Sequence, residues 1–442
     1  MITLTNDFLI KINGGATLHE CQTYIGPNPD HINEIIPICY YGRSGTAFFS
    51  SLLDGHPEIV KIGDFDFREY FKYFDIMIGR DNVECQLSNS MRHYGRNIEY
   101  EGKYNQNFVD IKGKKIHVPT TLAFSIEKPS DGKLFFSQPK DKDLFCYQGP
   151  YIGYFISTFL HMVQNYFGDV KNITLAEKDF FVIFNLAYNW AIGRQYAKTV
   201  TKIAWNMHMP DPILAKNAQK FFLKITLIHM IRKPLQTLGS HFKRYMYPTA
   251  LEVKNDIPIH DYANKLFGEL LNGDVPLIEC RSDDDEFAIR LEDIHSSPEK
   301  TMRKVSQRLG VSWSELLLES TYFGSPWEQP SHRGLMAGFS TKHLADDHPD
   351  IFSSDDIKFI EGVFHENYKK WNYNFVESSG MDKNIHDYVK KRVPVPLKME
   401  VMCWERACQQ GAVRADIMKS YGLLRDAIEK RLERKKSLVE IM

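Results

Sequence analysis

The run Ile35-Ile36-Pro37-Ile38-Cys39-Tyr40-Tyr41, then Gly42-Arg43-Ser44-Gly45, then Thr46 to Asp54, constrains this chain most. A short apolar run rich in β-branched and aromatic residues, with a proline near its start, reads as a buried strand. The glycine-bearing tetrapeptide reads as a tight turn. The segment after it reads as a helix that Gly55 and Pro57 stop. The pattern returns downstream. Ile225 to Ile231 is a second predicted strand, ending at Arg232-Lys233-Pro234 ahead of a helix expected through Tyr245. Phe287 to Leu291 is a third, followed by Glu292-Asp293 and a helix expected from Ser297 to Leu309, stopped by Gly310. Strands alternating with helices predict an α/β fold, a parallel sheet with helices on both faces in three layers. Such sheets bind ligands outside the carboxyl ends of their strands, where the turns 42–46 and 232–240 fall.

The 442 residues, 43% hydrophobic and 25% charged, suffice for a large core. A net charge of −1 excludes a surface built to coat nucleic acid, so any anion site is local. The seven cysteines, Cys21, Cys39, Cys85, Cys146, Cys280, Cys403 and Cys408, are odd in number and scattered, with no CxxC pair. That argues against a disulfide framework or a structural zinc and predicts a reducing, cytoplasmic setting. The N-terminus lacks the charged and apolar regions of a signal peptide. The most apolar window, Phe180 to Ile192, is interrupted by Asn185 and Asn189 and is too short for a bilayer of about 30 Å, so it is expected to be a buried helix rather than a transmembrane segment.

The expected organisation is an irregular segment 1–33, a main domain 34–375 and a C-terminal helical extension 376–442. Within the main domain, 95–150 reads as a β-hairpin-rich insertion. Residues 151–200 return to helical spacing, and their aromatics are expected in the core. The last helix is expected over about 399–440, with Ile417, Tyr421, Leu424, Ile428 and Leu432 on one face. Its stretch Lys419 to Lys436 carries seven Lys/Arg against three acids, either a solvated face or a membrane- or partner-binding one. The oligomeric state is not encoded legibly; a homo-oligomer stays open.

The first turn is fitted to an anion. A strand-to-helix turn aims unpaired backbone N–H groups at one spot, and the helix dipole adds positive charge there. Gly42 and Gly45 permit close approach, Ser44 and Thr46 supply hydroxyls, and Arg43 supplies a charged fork of donors. The sum is a phosphate or sulfate cradle, with an ordinary turn bearing an exposed arginine as the alternative. It is not a Walker A loop, because Thr46-Ala47 follows Gly45 with no lysine.

The stretch PICYYGRSGTAFFSSLLDGHPEI resembles the 5′-phosphosulfate-binding segment of the sulfotransferase family, whose bacterial carbohydrate-type and tyrosylprotein-type members carry a similar GxxRSGTT…LL…HP pattern. Ala47 stands where a second threonine is common. The stretch ITLIHMIRKPLQTLGSHFKRY resembles the family's second cofactor element. Arg232 and Ser240 stand eight apart, as in the arginine–serine pair that holds the donor's 3′-phosphate. AIRLEDIHSSPEKTMRKVSQRLGVSW is similar to a late strand–LED–helix segment that serves as scaffold. Arg333-Gly334 resembles a loop that some members fold over the 3′-phosphate, against which stands a solvated loop arginine. The resemblance spans about 34–375, without a family pattern across 95–150.

It implies a P-loop-like fold and transfer of a sulfuryl group from 3′-phosphoadenosine 5′-phosphosulfate (PAPS) to an acceptor hydroxyl or amine on a small molecule or carbohydrate. In-line transfer needs stabilised charge on the leaving phosphate, a task for Arg43 and the loop N–H groups, and calls for no metal. The acceptor needs a base. Asp64 stands near the place of a glutamate that follows the His-Pro element (here His56-Pro57) in tyrosylprotein-type members. His208, in Lys202-Ile203-Ala204-Trp205-Asn206-Met207-His208, stands where bacterial relatives carry a K-T-P-x-H-like element. Asp64 is favoured over His208, each with a plain alternative, a helix cap and a loop histidine. Lys202 is either a contact to the transferred group or a surface charge. The rival readings are a P-loop-type kinase and a non-catalytic anion- or carbohydrate-binding protein. The segments 95–150 and 151–200 are expected to shape the acceptor pocket.

Overall fold

The computed structural model describes residues 24–40, 44–67, 70–96, 108–111, 114–117, 122–123, 152–194, 196, 198, 200–208, 218–243, 286–322, 325–326, 328–331, 334–341, 344, 348, 350–378, 380, 384–409, 422, 425–430 and 432. They form an α/β protein with a parallel sheet flanked by helices. The strands of the sheet are β1 (Glu34–Tyr40), β2 (Ile59–Asp66), and, after a separate hairpin of β3 (Phe108–Ile111) and β4 (Lys114–His117), β5 (Lys202–His208), β6 (Lys224–Ile225), β7 (Leu227–Ile231) and β8 (Glu286–Arg290). The order across the sheet is β8-β7-β1-β5-β2, with β6 also paired to β1. The pairs β1·β6 and β2·β5 run parallel.

The chain divides into two compact units. The first takes residues Met1–Ile38, Ala47–Ile228 and Glu299–Pro330, the second Cys39–Thr46, His229–Pro298 and Ser331–Met442. The division cuts β1 and β7, so both expected anion turns, 42–46 and 232–240, fall in the second unit.

In β1, Ile35, Ile36, Ile38 and Cys39 are all buried, the continuous apolar reading of a strand covered on both faces. Pro37 lies in the middle of this central strand rather than near its start, where a missing N–H should break a ladder. The neighbouring strand shows how it is tolerated. Ile35 pairs with Ile225, and its carbonyl accepts the Thr226 N–H at 2.9 Å. That register puts the Thr226 carbonyl where the next N–H, that of residue 37, would arrive. Thr226 is the residue at which β6 gives way to β7. The missing donor coincides with the break.

The first unit is built on aromatic side chains. Helices α1 (Thr46–Leu53), α2 (Tyr70–Met77), α3 (Val83–Tyr94), α4 (Ile152–Phe167) and α5 (Glu177–Ala191) precede β5. Helix α5 packs on α4 and on β2. Phe155, Phe159, Phe180, Phe181, Phe184 and Tyr188 are buried, with ring centroids about 5–6 Å apart in edge-to-face and tilted pairs. These rings are core, and the apolar window from Phe180 is a buried helix as its sequence predicts. Asn185 and Asn189 stay inside because each amide donates to the carbonyl four residues earlier, at 2.8 Å. Among the described residues no helix is long and apolar enough to cross a membrane.

Helix α1 ends against a buried ion pair. The Arg194 guanidinium bonds both the Asp54 carboxylate and, at 2.6 Å, the Asp54 carbonyl. The Thr321 hydroxyl donates to the same carboxylate at 3.1 Å, and the Tyr196 hydroxyl links Arg194 to Asn189. His56 is also buried, with Nδ1 accepting the Glu58 N–H and Nε2 donating to the Ser312 carbonyl, so the His-Pro element is structural here.

In the second unit α6 (Pro234–His241) packs on α9 (Ser354–Val363), which packs on α11 (Ile385–Arg392). Between them in sequence come α7 (Leu291–Ser296), α8 (Pro298–Leu309), which belongs mostly to the first unit, and α10 (His365–Lys370). The core is Leu235, Leu238, Ile357, Phe359, Ile360, Val363, Phe364, Tyr368 and Val389 with their neighbours.

Several elements differ from expectation. The third strand ends at Arg290, and Leu291-Glu292-Asp293 opens a short helix, with Asp293 bonded to Arg290 across one turn at 2.5 and 2.8 Å. β2 and β5 were not expected as strands. The region 95–150 shows the β3·β4 hairpin and a two-residue bridge between Gly95–Arg96 and Leu122–Ala123; the rest of it lies outside the described residues. The last helix is described as α12 (Lys398–Gln409) and a helical stretch at 425–430.

Replacing Arg194 by Ala leaves Asp54 buried without its main partner. It is expected to lower stability by about 3–5 kcal/mol in urea unfolding, and a loss under about 1 kcal/mol contradicts a clamping role for the pair.

Candidate functional site

The site begins with the direction in which the chain leaves two adjacent strands. After β1 it travels to β2, on one side of the sheet, and after β7 it travels to β8, on the other. Where neighbouring parallel strands part in this way, a crevice opens outside their carboxyl ends. The described residues that follow these two strands are Ser44 to Thr46 after β1, and Arg232 and Lys233 after β7.

Ser44 and Thr46 are buried, their hydroxyls 3.1 Å apart. Thr46 opens α1, whose first turn holds no acidic residue to oppose an anion. Between them Gly45 has φ +89°, the left-handed region, and a Cβ there would overlap the methyl groups of Leu291. Glycine is therefore demanded twice, by the backbone and by the side chain that opens α7. Gly42 and Arg43 lie outside the described residues.

Arg232 is half-buried and directly follows β7. Pro234 starts α6 at the position where a missing N–H is harmless. Ser240 is buried in the last turn of α6. The residue before it, Gly239, carries the His348 ring; a Cβ at 239 would overlap that ring. His348 is buried and holds φ +53°. Lys233 turns its ammonium toward the Tyr368 ring, 5.9 Å from the centroid, and its N–H donates to Glu292 Oε1 at 2.9 Å. Burial pushes the Glu292 carboxyl above its ordinary value. The Lys233 N–H and the charges of Arg232 and Arg290 pull the other way. Tyr373 donates to Glu292 Oε2 at 3.4 Å and lines an open cleft of about 500 Å³ with Tyr368, Lys369, Asn372, Asn374 and Phe375.

The candidate bases belong to the other pair of strands. His208 is the last residue of β5 and Asp64 the third from the end of β2, adjacent parallel strands. Asp64 is thus on a strand rather than at a helix cap. The register runs Lys61↔Ala204 and then Asp66↔Asn206. β2 advances five residues (66 − 61) where β5 advances two (206 − 204), so three extra residues bulge out around Asp64. Lys202 is not brought to this end. It opens β5, where its ammonium pairs with Glu34, the first residue of β1, at 3.2 Å and bonds Thr201 at 3.2 Å. β1 carries seven residues away from Glu34 toward the turn, roughly 20 Å of strand. Gly334 opens the strand Gly334–Ala337; Arg333 lies outside the described residues.

Glu292, expected as part of a scaffold segment, stands two residues beyond β8, the strand that adjoins β7, and meets the turn that follows β7. Among the described residues no group of three or more His, Cys, Asp or Glu is gathered to hold a metal ion.

No family model matches the chain, and no curated protein matches it. Three solved structures similar to it are sulfotransferases. The sulfotransferase domain from the curacin biosynthetic pathway shares 11% identity over 65% of this chain and 77% of that one, with a TM-score of 0.33. The sulfotransferase domain from the Synechococcus PCC 7002 olefin synthase shares 15% over 74% of this chain and 83% of that one, with a TM-score of 0.32. Sulfotransferase STF9 from Mycobacterium avium shares 13% over 64% of this chain and 65% of that one, with a TM-score of 0.28. At such identities and scores no residue role passes from them to this chain.

Gly45→Ala forces a side chain into the left-handed region and into Leu291. It is expected to cost at least about 1 kcal/mol of stability, and Leu291→Ala in the same chain is expected not to restore the loss, because the backbone penalty remains. Wild-type stability in the single variant contradicts this account of the turn.

Proposed function

We propose that this chain is a sulfotransferase that takes PAPS as donor and passes its sulfuryl group to a hydroxyl or amine on a small molecule or carbohydrate. The observation that carries this reading is the pairing of two anion-fitted turns on neighbouring strands at the point where the chain parts. One turn offers hydroxyls and a helix start, the other an arginine followed by a buried serine. A donor with two separated anionic ends matches that set; a single phosphate uses half of it. The sequence resemblance assigns the ends. The 5′-phosphosulfate goes to 42–46 and the 3′-phosphate to Arg232 and Ser240, with Arg333 and Gly334 closing over it.

The acceptor oxygen or nitrogen attacks sulfur in line with the phosphate bridge oxygen. The bond from sulfur to that oxygen breaks, and adenosine 3′,5′-bisphosphate leaves with the electron pair. Arg43 and the N–H groups of the turn stabilise the charge that builds on the leaving phosphate. The acceptor's proton passes to a base, for which Asp64, on its bulge, is the first assignment and His208 the second. Lys202, the other sequence candidate for a contact to the transferred group, pairs with Glu34 at the start of β5 and is assigned no step here. The catalytic domain is taken as 34–375 and the setting as cytoplasmic, in keeping with the scattered cysteines.

The test is incubation of the purified protein with PAPS and a panel of sugars, phenols and amines, reading formation of the bisphosphate. Turnover with at least one acceptor is expected, and Arg232→Ala is expected to raise KM for PAPS by about tenfold or more. Transfer from ATP with none from PAPS overturns the reading in favour of a kinase. PAPS binding without turnover on any acceptor overturns it in favour of a binding protein.

The base is read from Asp64→Ala and His208→Ala. The true base costs roughly 10²–10⁴ in kcat, removes the acidic limb of the pH profile and leaves PAPS binding in place. Full activity in both variants refutes both assignments.

A further inference from the structure

We infer that Glu292 is a positioning residue for the donor site: it holds the turn that carries Arg232 and so sets the preference for a 3′-phosphorylated nucleotide. This rests on the reading of Arg232 as a 3′-phosphate ligand.

The turn between β7 and α6 has little of its own to hold it. Lys233 sits at the helix cap position with φ −47° and ψ 122° and makes no side-chain cap, and Pro234 brings no N–H. The backbone donor of the turn, the Lys233 N–H, goes to Glu292 Oε1 at 2.9 Å. Glu292 comes from the first turn of α7, straight after β8, the strand next to β7. The carboxylate thus ties the end of one strand to the start of its neighbour's helix. Its second oxygen receives the buried Tyr373 hydroxyl at 3.4 Å.

Charge points the same way. Two guanidinium groups act on Glu292, those of Arg232 and Arg290. Arg290 already serves Asp293 in a two-pronged bond and donates to the Trp371 and Asn372 carbonyls at 2.9 and 3.0 Å. Arg232, at the end of the neighbouring strand, adds the second positive charge acting on the same carboxylate. A guanidinium carries five N–H donors in one plane, enough to face a carboxylate and still present an edge to a phosphate. A carboxylate that fixes the backbone of an arginine turn and sits within the field of its guanidinium does more than fill space. Its loss should be felt by the ligand end that the arginine reads and by no other.

Calorimetric titration of the full chain with adenosine 3′,5′-bisphosphate and with adenosine 5′-monophosphate separates the possibilities. The wild type is expected to favour the bisphosphate. Glu292→Ala is expected to weaken the bisphosphate by about tenfold or more and to leave the monophosphate within about twofold. Glu292→Gln keeps an acceptor for the Lys233 N–H without the charge and falls between the two. It also carries the test if the alanine variant fails to fold. Equal weakening of both nucleotides in either variant means a merely structural carboxylate and overturns the inference, as does an unchanged preference for the bisphosphate. A wild type that does not distinguish the nucleotides overturns the donor-site reading itself, a result seen without any variant.

Discussion

The parting of the chain at β1 and β7 is the constraint from which the rest of this structure follows. Neighbouring parallel strands whose continuations leave in opposite directions cannot close the space above their ends with their own helices. That space is bordered by the first residues after each strand. Here these are a glycine turn with two buried hydroxyls and an arginine followed by a proline-started helix. Both belong to one compact unit, although the strands that carry them run through both.

The packing around the turns serves their backbone shape. Leu291 rests on Gly45 and His348 on Gly239, and each contact is possible only because the partner has no Cβ. The aromatic mass of α4 and α5 is spent elsewhere, in the interior of the first unit, where rings at 5–6 Å join the two helices and α5 packs on β2. Arg194 holds the far end of α1 through Asp54, the residue that follows the helix, while Leu291 packs against the glycine turn that precedes it.

How much of this was legible depended on where the determining partner lies in sequence. β1, its turn and α1 could be read because strand, turn and helix residues are consecutive. The place of Arg232 after β7 and of Ser240 on α6 could be read for the same reason, since strand, proline and helix follow one another in the chain. The burial of Asn185 and Asn189 inside an apolar helix was also foreseeable, since each needs only a carbonyl four residues away. Glu292 was not, because its partner is the Lys233 N–H, 59 residues upstream, and a backbone donor leaves no mark on the sequence. Lys202 looked like a basic residue ahead of a site. Only the pairing of β5 beside β1 reveals that it meets Glu34 at the opposite edge. Strand β2 was hidden for a related reason: its bulge breaks the period by which strands are recognised.

Pro37 adds a consequence for how the sheet assembles. It offers no N–H to the Thr226 carbonyl, which the register sets opposite it, and the neighbour is divided there into β6 and β7. One rung is therefore missing from the ladder in the strand that leads straight into the glycine turn, and the sheet is held around that gap by the rungs on either side of it.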